Sequence, residues 1–172
     1  MAPISTERFR KEILEYLEET FAKPQGLYLD QGTSLFETLG ATSPEEASAR
    51  ASADAASPAA HVRHIVFYLR VLQASVRGEE LGKVNWREIW ENDRPVSAAE
   101  WKALVEDLRR EYDVLVRFLN EPGTWDLADA LGGSLAVTVH TAYHLGAIRH
   151  ALLVIRHRGS GASAGVGRHP EP

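Results

Sequence analysis

The 172-residue sequence contains no cysteine, and that absence excludes several kinds of chemistry. The chain forms no disulfide, builds no thiolate-ligated zinc site and offers no cysteine nucleophile. A thiol that takes part in any reaction of this protein would therefore have to come from a cosubstrate.

Long hydrophobic runs and an excess of basic residues are also missing. No stretch approaches the roughly 18 apolar residues of a membrane-spanning helix, and the N-terminus, MAPISTERFRKEILEYL, lacks the apolar segment of a secretion signal. We therefore expect a cytoplasmic protein with no membrane partner. The formal net charge of −5 argues against a broad basic surface, so we expect no nucleic-acid partner either.

The spacing of apolar residues is helical along most of the chain. It predicts long helices at about 5–22, 57–77, 98–120 and 134–157, and short helices near 34–40 and 44–50. Serines mark several helix starts, because a serine can accept a hydrogen bond from the amide three residues on while a glutamate there reaches back. Such pairs are Ser34 with Glu37, Ser43 with Glu46 and Ser97 with Glu100, and Ser57-Pro58 is a related start.

Four long helices joined by long connections predict an all-α fold, a four-helix bundle with short extra helices that occupies residues 1–158. The remaining residues, 159–172, are rich in glycine and serine, so we predict a flexible C-terminal tail. The connection 78–97 is too apolar for a free linker, and we expect it to pack across one end of the bundle.

Two histidines, His140 and His144, lie four residues apart in the stretch VHTAYHLGAIRH. If Arg149 and Arg156 mark the solvent-facing side of the last helix, both histidines fall at the centre of its buried stripe, beside small alanines. Residues four apart have Cβ atoms about 5–6 Å apart on one helix face, so one nitrogen of each ring can reach a shared metal ion. The alternative is a pair of structural histidines that hydrogen-bond within the core.

The second long helix supplies candidates for a third ligand. Arginines recur every seven residues on its solvent-facing side, at Arg63, Arg70 and Arg77. His61 lies opposite them, and His64 lies on the same half of the helix, displaced by about 60°. Periodicity slightly favours His61 as the inward-facing histidine and leaves the choice open.

Two tyrosines, Tyr68 and Tyr143, are placed by the same helical wheels on the inner faces of the two histidine helices. Either hydroxyl is a candidate for a catalytic hydrogen-bond donor, although a core position with an occasional polar contact explains both residues as well. The four tryptophans are expected to anchor the connections; they are Trp86, Trp90, Trp101 and Trp125.

Three stretches of the sequence resemble the DinB/YfiT-like superfamily, a group of bacterial four-helix bundles that includes metalloenzymes. They are SPAAHVRHIVFYLRVL, PVSAAEWKALVEDLRREYDVLVRFL and HTAYHLGAIRHALL, and the likeness extends over about residues 5–157. The resemblance implies a divalent metal ion, Zn²⁺ or Ni²⁺, held by His64, His140 and His144, with His61 in reserve.

The resemblance also implies a function. Relatives in the superfamily include enzymes that use low-molecular-weight thiols such as bacillithiol, mycothiol or glutathione for transfer or isomerisation. We therefore expect a metal-dependent thiol S-transferase that acts on a small-molecule substrate and forms a homodimer, and a metal-dependent hydrolase would use the same site with water. One departure is Ala147 after the signature Gly146, where members often have glutamine. The alternatives are a non-catalytic metal-binding, stress-response dimer and a bundle whose histidines are purely structural.

Overall fold

The structure, a computed structural model, describes the backbone of residues 5–79 and 82–163 and the side chains of these ranges up to Ser160. The helices are α1 (Thr6–Phe21), α2 (Leu35–Gly40), α3 (Pro44–Ser48), α4 (Pro58–Val76), α5 (Glu88–Glu91), α6 (Ala98–Asn120) and α7 (Ala130–Ser163). Within the described ranges there is no β-strand, and a 3-10 turn at Thr124–Asp126 precedes α7. The prediction of an all-α fold is therefore confirmed.

The four long helices, α1, α4, α6 and α7, form the predicted bundle. Helix α4 packs against α6 and α7, and α1 packs against the same two helices. Fully buried side chains from all four helices fill the centre; they include Leu17, Phe21, Ile65, Leu69, Leu108, Leu119 and Ile148. Burying one such side chain contributes about 1.5–3 kcal/mol, so this core stabilises the arrangement that positions the histidines. In the described part of the chain, no helix is long and apolar enough to cross a membrane.

Serine side chains cap the starts of four helices, as predicted. Ser34, Ser43 and Ser97 each form a complete capping box with the glutamate three residues on. The hydroxyl of Ser57 accepts a hydrogen bond of 3.1 Å from the backbone N–H of Ala60 at the start of α4. These bonds satisfy N–H groups that a helix start leaves without an intrahelical partner, so the starts are fixed by local chemistry.

Helix α7 is longer than the sequence predicted. It begins at Ala130 instead of near 134, and Gly133 lies inside the helix against Leu72 and Val76 of α4. It also runs past the predicted end near 157, so residues 159–163 of the predicted flexible tail are helical. The remainder of that tail, 164–172, lies outside the described residues.

The face that α7 buries also differs from the prediction. Arg149 and Arg156 are exposed, but they hydrogen-bond to the segment around α2 and α3, at the carbonyl oxygens of residues 33 and 41 and at the Glu46 carboxylate. The most exposed face of α7 instead carries Val139 and Tyr143, with 68% and 72% of their surface exposed. The histidine pair therefore lies at the border of the buried stripe rather than at its centre.

Candidate metal centre

Three histidines from two neighbouring helices meet where α4 packs against α7. His64 of α4 and His140 and His144 of α7 each offer a ring nitrogen, and these nitrogens all lie within 4.8 Å of one another. Nε2 of His140 is 2.9 Å from Nε2 of His64 and 3.2 Å from Nε2 of His144. The four-residue spacing places the two α7 rings on one side of that helix, where both reach the ring from α4.

Two of the three distances between the ring nitrogens fit a shared metal ion closely. Two nitrogens that are each about 2.0–2.1 Å from one ion lie about 2.8–3.4 Å apart when the angle at the ion is between 90° and the tetrahedral angle. The observed separations of 2.9 and 3.2 Å fall in that range. Hydrogen bonding alone explains the cluster less well, because Nε2 of His140 faces two nitrogens and carries at most one proton. The set can therefore bind a metal ion.

Two further ring nitrogens show which atom of each ring faces the cluster. Nδ1 of His64 and Nδ1 of His140 are buried and have no hydrogen-bond partner among the described residues. A neutral imidazole whose Nε2 binds a metal carries its proton on Nδ1. Nε2 is the atom of both rings that faces another histidine, so Nε2 is the nitrogen that could bind a shared ion.

All the rings in the cluster are neutral at neutral pH, as metal ligands must be. Burial, with a smaller contribution from the neighbouring imidazoles, lowers the pKa of His144 to about 3. Burial and the nearby His64 ring lower the pKa of His140 to about 4, and burial also lowers the pKa of His64. Each ring therefore keeps a lone pair free for a metal ion.

Each ring of the cluster is held by a different neighbour. Tyr68 of α4 stacks on His140, with ring centroids 3.8 Å apart and planes inclined by 14°. Trp90 of α5 stacks on His64 at 4.6 Å and 29°. His144 has a polar partner instead, because its Nδ1 lies 3.0 Å from Nδ1 of His61.

The sequence model of the DinB superfamily matches residues 28–148, which is more than half of the chain and includes all three histidines of the cluster. The chain belongs to the DinB superfamily. The resemblance inferred from the three sequence stretches is therefore confirmed, although the match leaves α1 and the end of α7 outside. No curated protein and no solved structure matches the chain.

In this DinB protein, His64 rather than His61 joins the two histidines of α7. Periodicity favoured His61 because it lies nearer to the core-facing side of α4. His64 is nevertheless only 7% exposed, because Trp90 covers a side of α4 that would otherwise face solvent. His61 lies next to the cluster. Among the described residues, its one polar contact with the cluster is to His144.

The two tyrosine candidates have different environments. Tyr68 is partly buried, and burial raises the pKa of its hydroxyl, which therefore stays protonated and able to donate a hydrogen bond. Tyr143 is 72% exposed, so its predicted position on an inner face is wrong. Its ring centroid is nevertheless 5.1 Å from that of His144, which places it at the exposed edge of the cluster.

Two tryptophans beside the cluster were not recognised as site residues from the sequence. Trp101 and Trp125 do anchor connections, since their indole N–H groups donate to backbone carbonyl oxygens. Trp86 and Trp90 instead lie against the histidine-bearing half of α4, and Trp86, which is 41% exposed, has its ring 6.2 Å from that of His64. The only sequence signal was the apolar character of the connection 78–97, which does not say which helix it covers.

Proposed function

We propose that this DinB-superfamily protein is a metal-dependent enzyme that transfers a low-molecular-weight thiol to a small electrophilic substrate. The observation that carries the proposal is the convergence of three neutral ring nitrogens, from His64, His140 and His144. We assign these rings as ligands of one divalent ion, with Zn²⁺ or Ni²⁺ first. Structural zinc sites usually have four protein ligands, whereas three-ligand sites with an open position are typical of catalysis.

The charge of the ligand set supports a thiol as the cosubstrate. Three imidazoles contribute no negative charge, so the site as a whole favours an anion at the open position. A divalent ion held there lowers the pKa of a thiol or a water molecule that binds to it. Because the chain contains no cysteine, the thiol comes from a separate molecule.

Aromatic side chains beside the cluster support a small organic electrophile as the second substrate. The exposed faces of Trp86 and Tyr143 flank the histidines and offer apolar surface on which such a molecule can pack. We assign the protonated hydroxyl of Tyr68 as a hydrogen-bond donor to the substrate, with Tyr143 as the second candidate. The tyrosine that donates this hydrogen bond would act as a catalytic residue.

The test is a transfer assay on the untagged, metal-loaded protein. The holoprotein is incubated with bacillithiol, mycothiol or glutathione and a panel of electrophiles, and the loss of free thiol is followed. We expect turnover that is lost in His144→Ala and retained in His157→Ala, whose side chain is exposed near the end of α7.

Three results would overturn the proposal. Turnover that survives His144→Ala would contradict the assigned site. Consumption of the electrophile without loss of thiol would show a hydrolase. A metal-loaded protein that is inactive with every thiol would show a metal-binding protein without transferase activity.

We also propose that the protein is a homodimer formed through α7. The exposed face of that helix carries apolar side chains at four-residue spacing, between 41% and 68% exposed; they are Leu131, Leu135 and Val139. An apolar stripe of this kind on a single chain is typical of an interaction surface. Two copies related by a two-fold axis would cover each other's stripe, since such an interface uses the same patch on both chains.

A further inference from the structure

The contact between His61 and His144 defines where the protons of both rings lie. Their Nδ1 atoms are 3.0 Å apart, and the two ring centroids are 5.2 Å apart. One nitrogen of such a pair must donate and the other must accept, because two lone pairs or two protons would repel each other. The direction of this hydrogen bond follows from what the opposite side of the His144 ring does.

The opposite side of the His144 ring faces the cluster. Its Nε2 lies 3.2 Å from Nε2 of His140, at the place where the three ligand nitrogens converge. A ring that uses Nε2 as a metal ligand carries its proton on Nδ1. Nδ1–H of His144 therefore donates to Nδ1 of His61, and His61 must keep that nitrogen unprotonated and carry its own proton on Nε2.

We propose that His61 is a positioning residue that accepts a hydrogen bond from Nδ1–H of His144 and thereby fixes the tautomer and the orientation of that ligand. This inference rests on the metal site of the proposed function. It extends that site by a fourth histidine that does not touch the ion. Groups that hydrogen-bond to a histidine ligand commonly raise metal affinity in proteins, and removing one typically costs about 10–100-fold.

His144 depends on this hydrogen bond more than the other ligands do. His140 and His64 each have an aromatic ring stacked nearly flat on them, at 14° and 29°. The rings around His144 meet it at steeper angles, with 37° to the more distant Trp90 at 6.0 Å, and 50° to His61, 65° to His64, 69° to His140 and 78° to Tyr143. Tilted and edge contacts of this kind restrain rotation of the ring less than close flat stacking, so we assign that task to the polar contact with His61.

The first experiment compares Zn²⁺ affinities by competition with a chromophoric chelator, using the full-length, untagged chain. His61→Phe keeps a ring beside Trp90, which His61 meets edge-on at 5.4 Å, but removes the accepting nitrogen. We expect this variant to bind one Zn²⁺ per chain about 10–100-fold more weakly than the wild type. His61→Asn, which offers an amide oxygen near the position of Nδ1, should recover most of the affinity, and the surface control His157→Phe should leave it unchanged.

The outcomes separate the two proposals. A wild-type chain that binds no Zn²⁺ overturns the metal site itself. Wild-type binding that is equally tight in His61→Phe overturns only the role of His61. Complete loss of binding in both His61→Phe and His61→Asn, in folded protein, would show His61 to be a ligand and would also overturn the inference.

A second measurement needs no variant. In zinc-loaded protein labelled with ¹⁵N-histidine, long-range ¹H–¹⁵N correlations report which nitrogen of each ring carries the proton. We expect the proton of His144 on Nδ1 and that of His61 on Nε2. A His144 ring that carries its proton on Nε2 would contradict the inference, whatever the affinity of the variants.

Discussion

Identical side chains take different roles in this protein because their neighbours differ. His64 turns Nε2 toward the two rings of α7, whereas His61, three residues earlier on the same helix, turns Nδ1 toward the far side of His144. The sequence could predict that histidines gather between two helices, because residue type and spacing carry that information. Which nitrogen faces which partner depends on the packing of α4 against α7, and no sequence pattern records it.

A buried carboxylate, Glu19 of α1, offers a second example of a residue defined by its partners. Its side chain has no exposed surface and accepts hydrogen bonds of 2.6–3.0 Å from four backbone N–H groups in the loop that follows α1. Burial alone would raise the pKa of this carboxyl group, but the four hydrogen bonds outweigh it and lower the pKa to about 2. Glu19 therefore holds the loop between α1 and α2 in place as an anion.

Replacing that anion should destabilise the protein. In Glu19→Gln only the amide oxygen can accept, so some of the four N–H groups lose their partner, and we expect a loss of about 3 kcal/mol at pH 7. Because folding lowers the pKa of Glu19, its contribution is complete above about pH 4.5 and fades as the pH falls toward 2. Urea unfolding of wild type, Glu19→Gln and the exposed control Glu12→Gln tests this. Equal stability of wild type and Glu19→Gln at pH 7 would contradict the prediction.

Among the helices, local signals were predicted well and packing directions were not. The starts of α2, α3, α4 and α6 agree with the sequence within about one residue, because a capping serine and its partners lie within four residues of each other. The orientation of α7 was predicted less well, since its arginines hydrogen-bond to the segment around α2 and α3, which is more than 100 residues away along the chain. Helix α5 was missed because only four residues form it.

The fluorescence of Trp90, in the connection that contains α5, should change when a metal ion binds. The Trp90 ring lies 4.6 Å from the His64 ring, close enough for an open-shell ion on that histidine to quench the indole fluorescence. We expect Ni²⁺ or Co²⁺ to quench the tryptophan emission of the wild type, and Trp90→Phe to lose a large share of that quenching. The control Trp125→Phe, in the other long connection, should keep it. Equal quenching in the two variants would show that the ion does not bind beside Trp90.

The protein has an exposed apolar surface on α7 that does not contribute to the core of the bundle. Its four helices bury the large side chains of the core, yet α7 leaves a row of apolar residues exposed on the face that includes Val139 and Tyr143. Tyr143 lies beside His144, so the proposed dimer interface would end at the edge of the metal site. From the sequence, a dimer was predicted only by the resemblance to the superfamily. The helical wheel of the last helix placed its arginines on the exposed face and so gave no sign of an apolar surface there.

A lysine in the exposed apolar row of α7 should separate the two chains of the proposed homodimer. Val139→Lys places a charge that cannot be buried against the partner's apolar stripe without a large cost, so we expect a mass of one chain by light scattering, against two chains for the wild type. The control Ala99→Lys, at an exposed position of α6, should remain dimeric. A wild-type protein that is monomeric at high concentration, or a dimer that tolerates Val139→Lys, would contradict the proposed interface.

The convergence of three imidazoles on one ion is tested by the metal content of the untagged protein. After removal of metal with a chelator and incubation with Zn²⁺, Ni²⁺ or Mn²⁺, elemental analysis should find about one ion per chain in the wild type with at least one of these metals. His140→Phe should bind close to none, while the exposed control His150→Phe should bind as the wild type does. A folded wild-type chain that takes up none of the three metals would contradict the metal site and every function proposed for it.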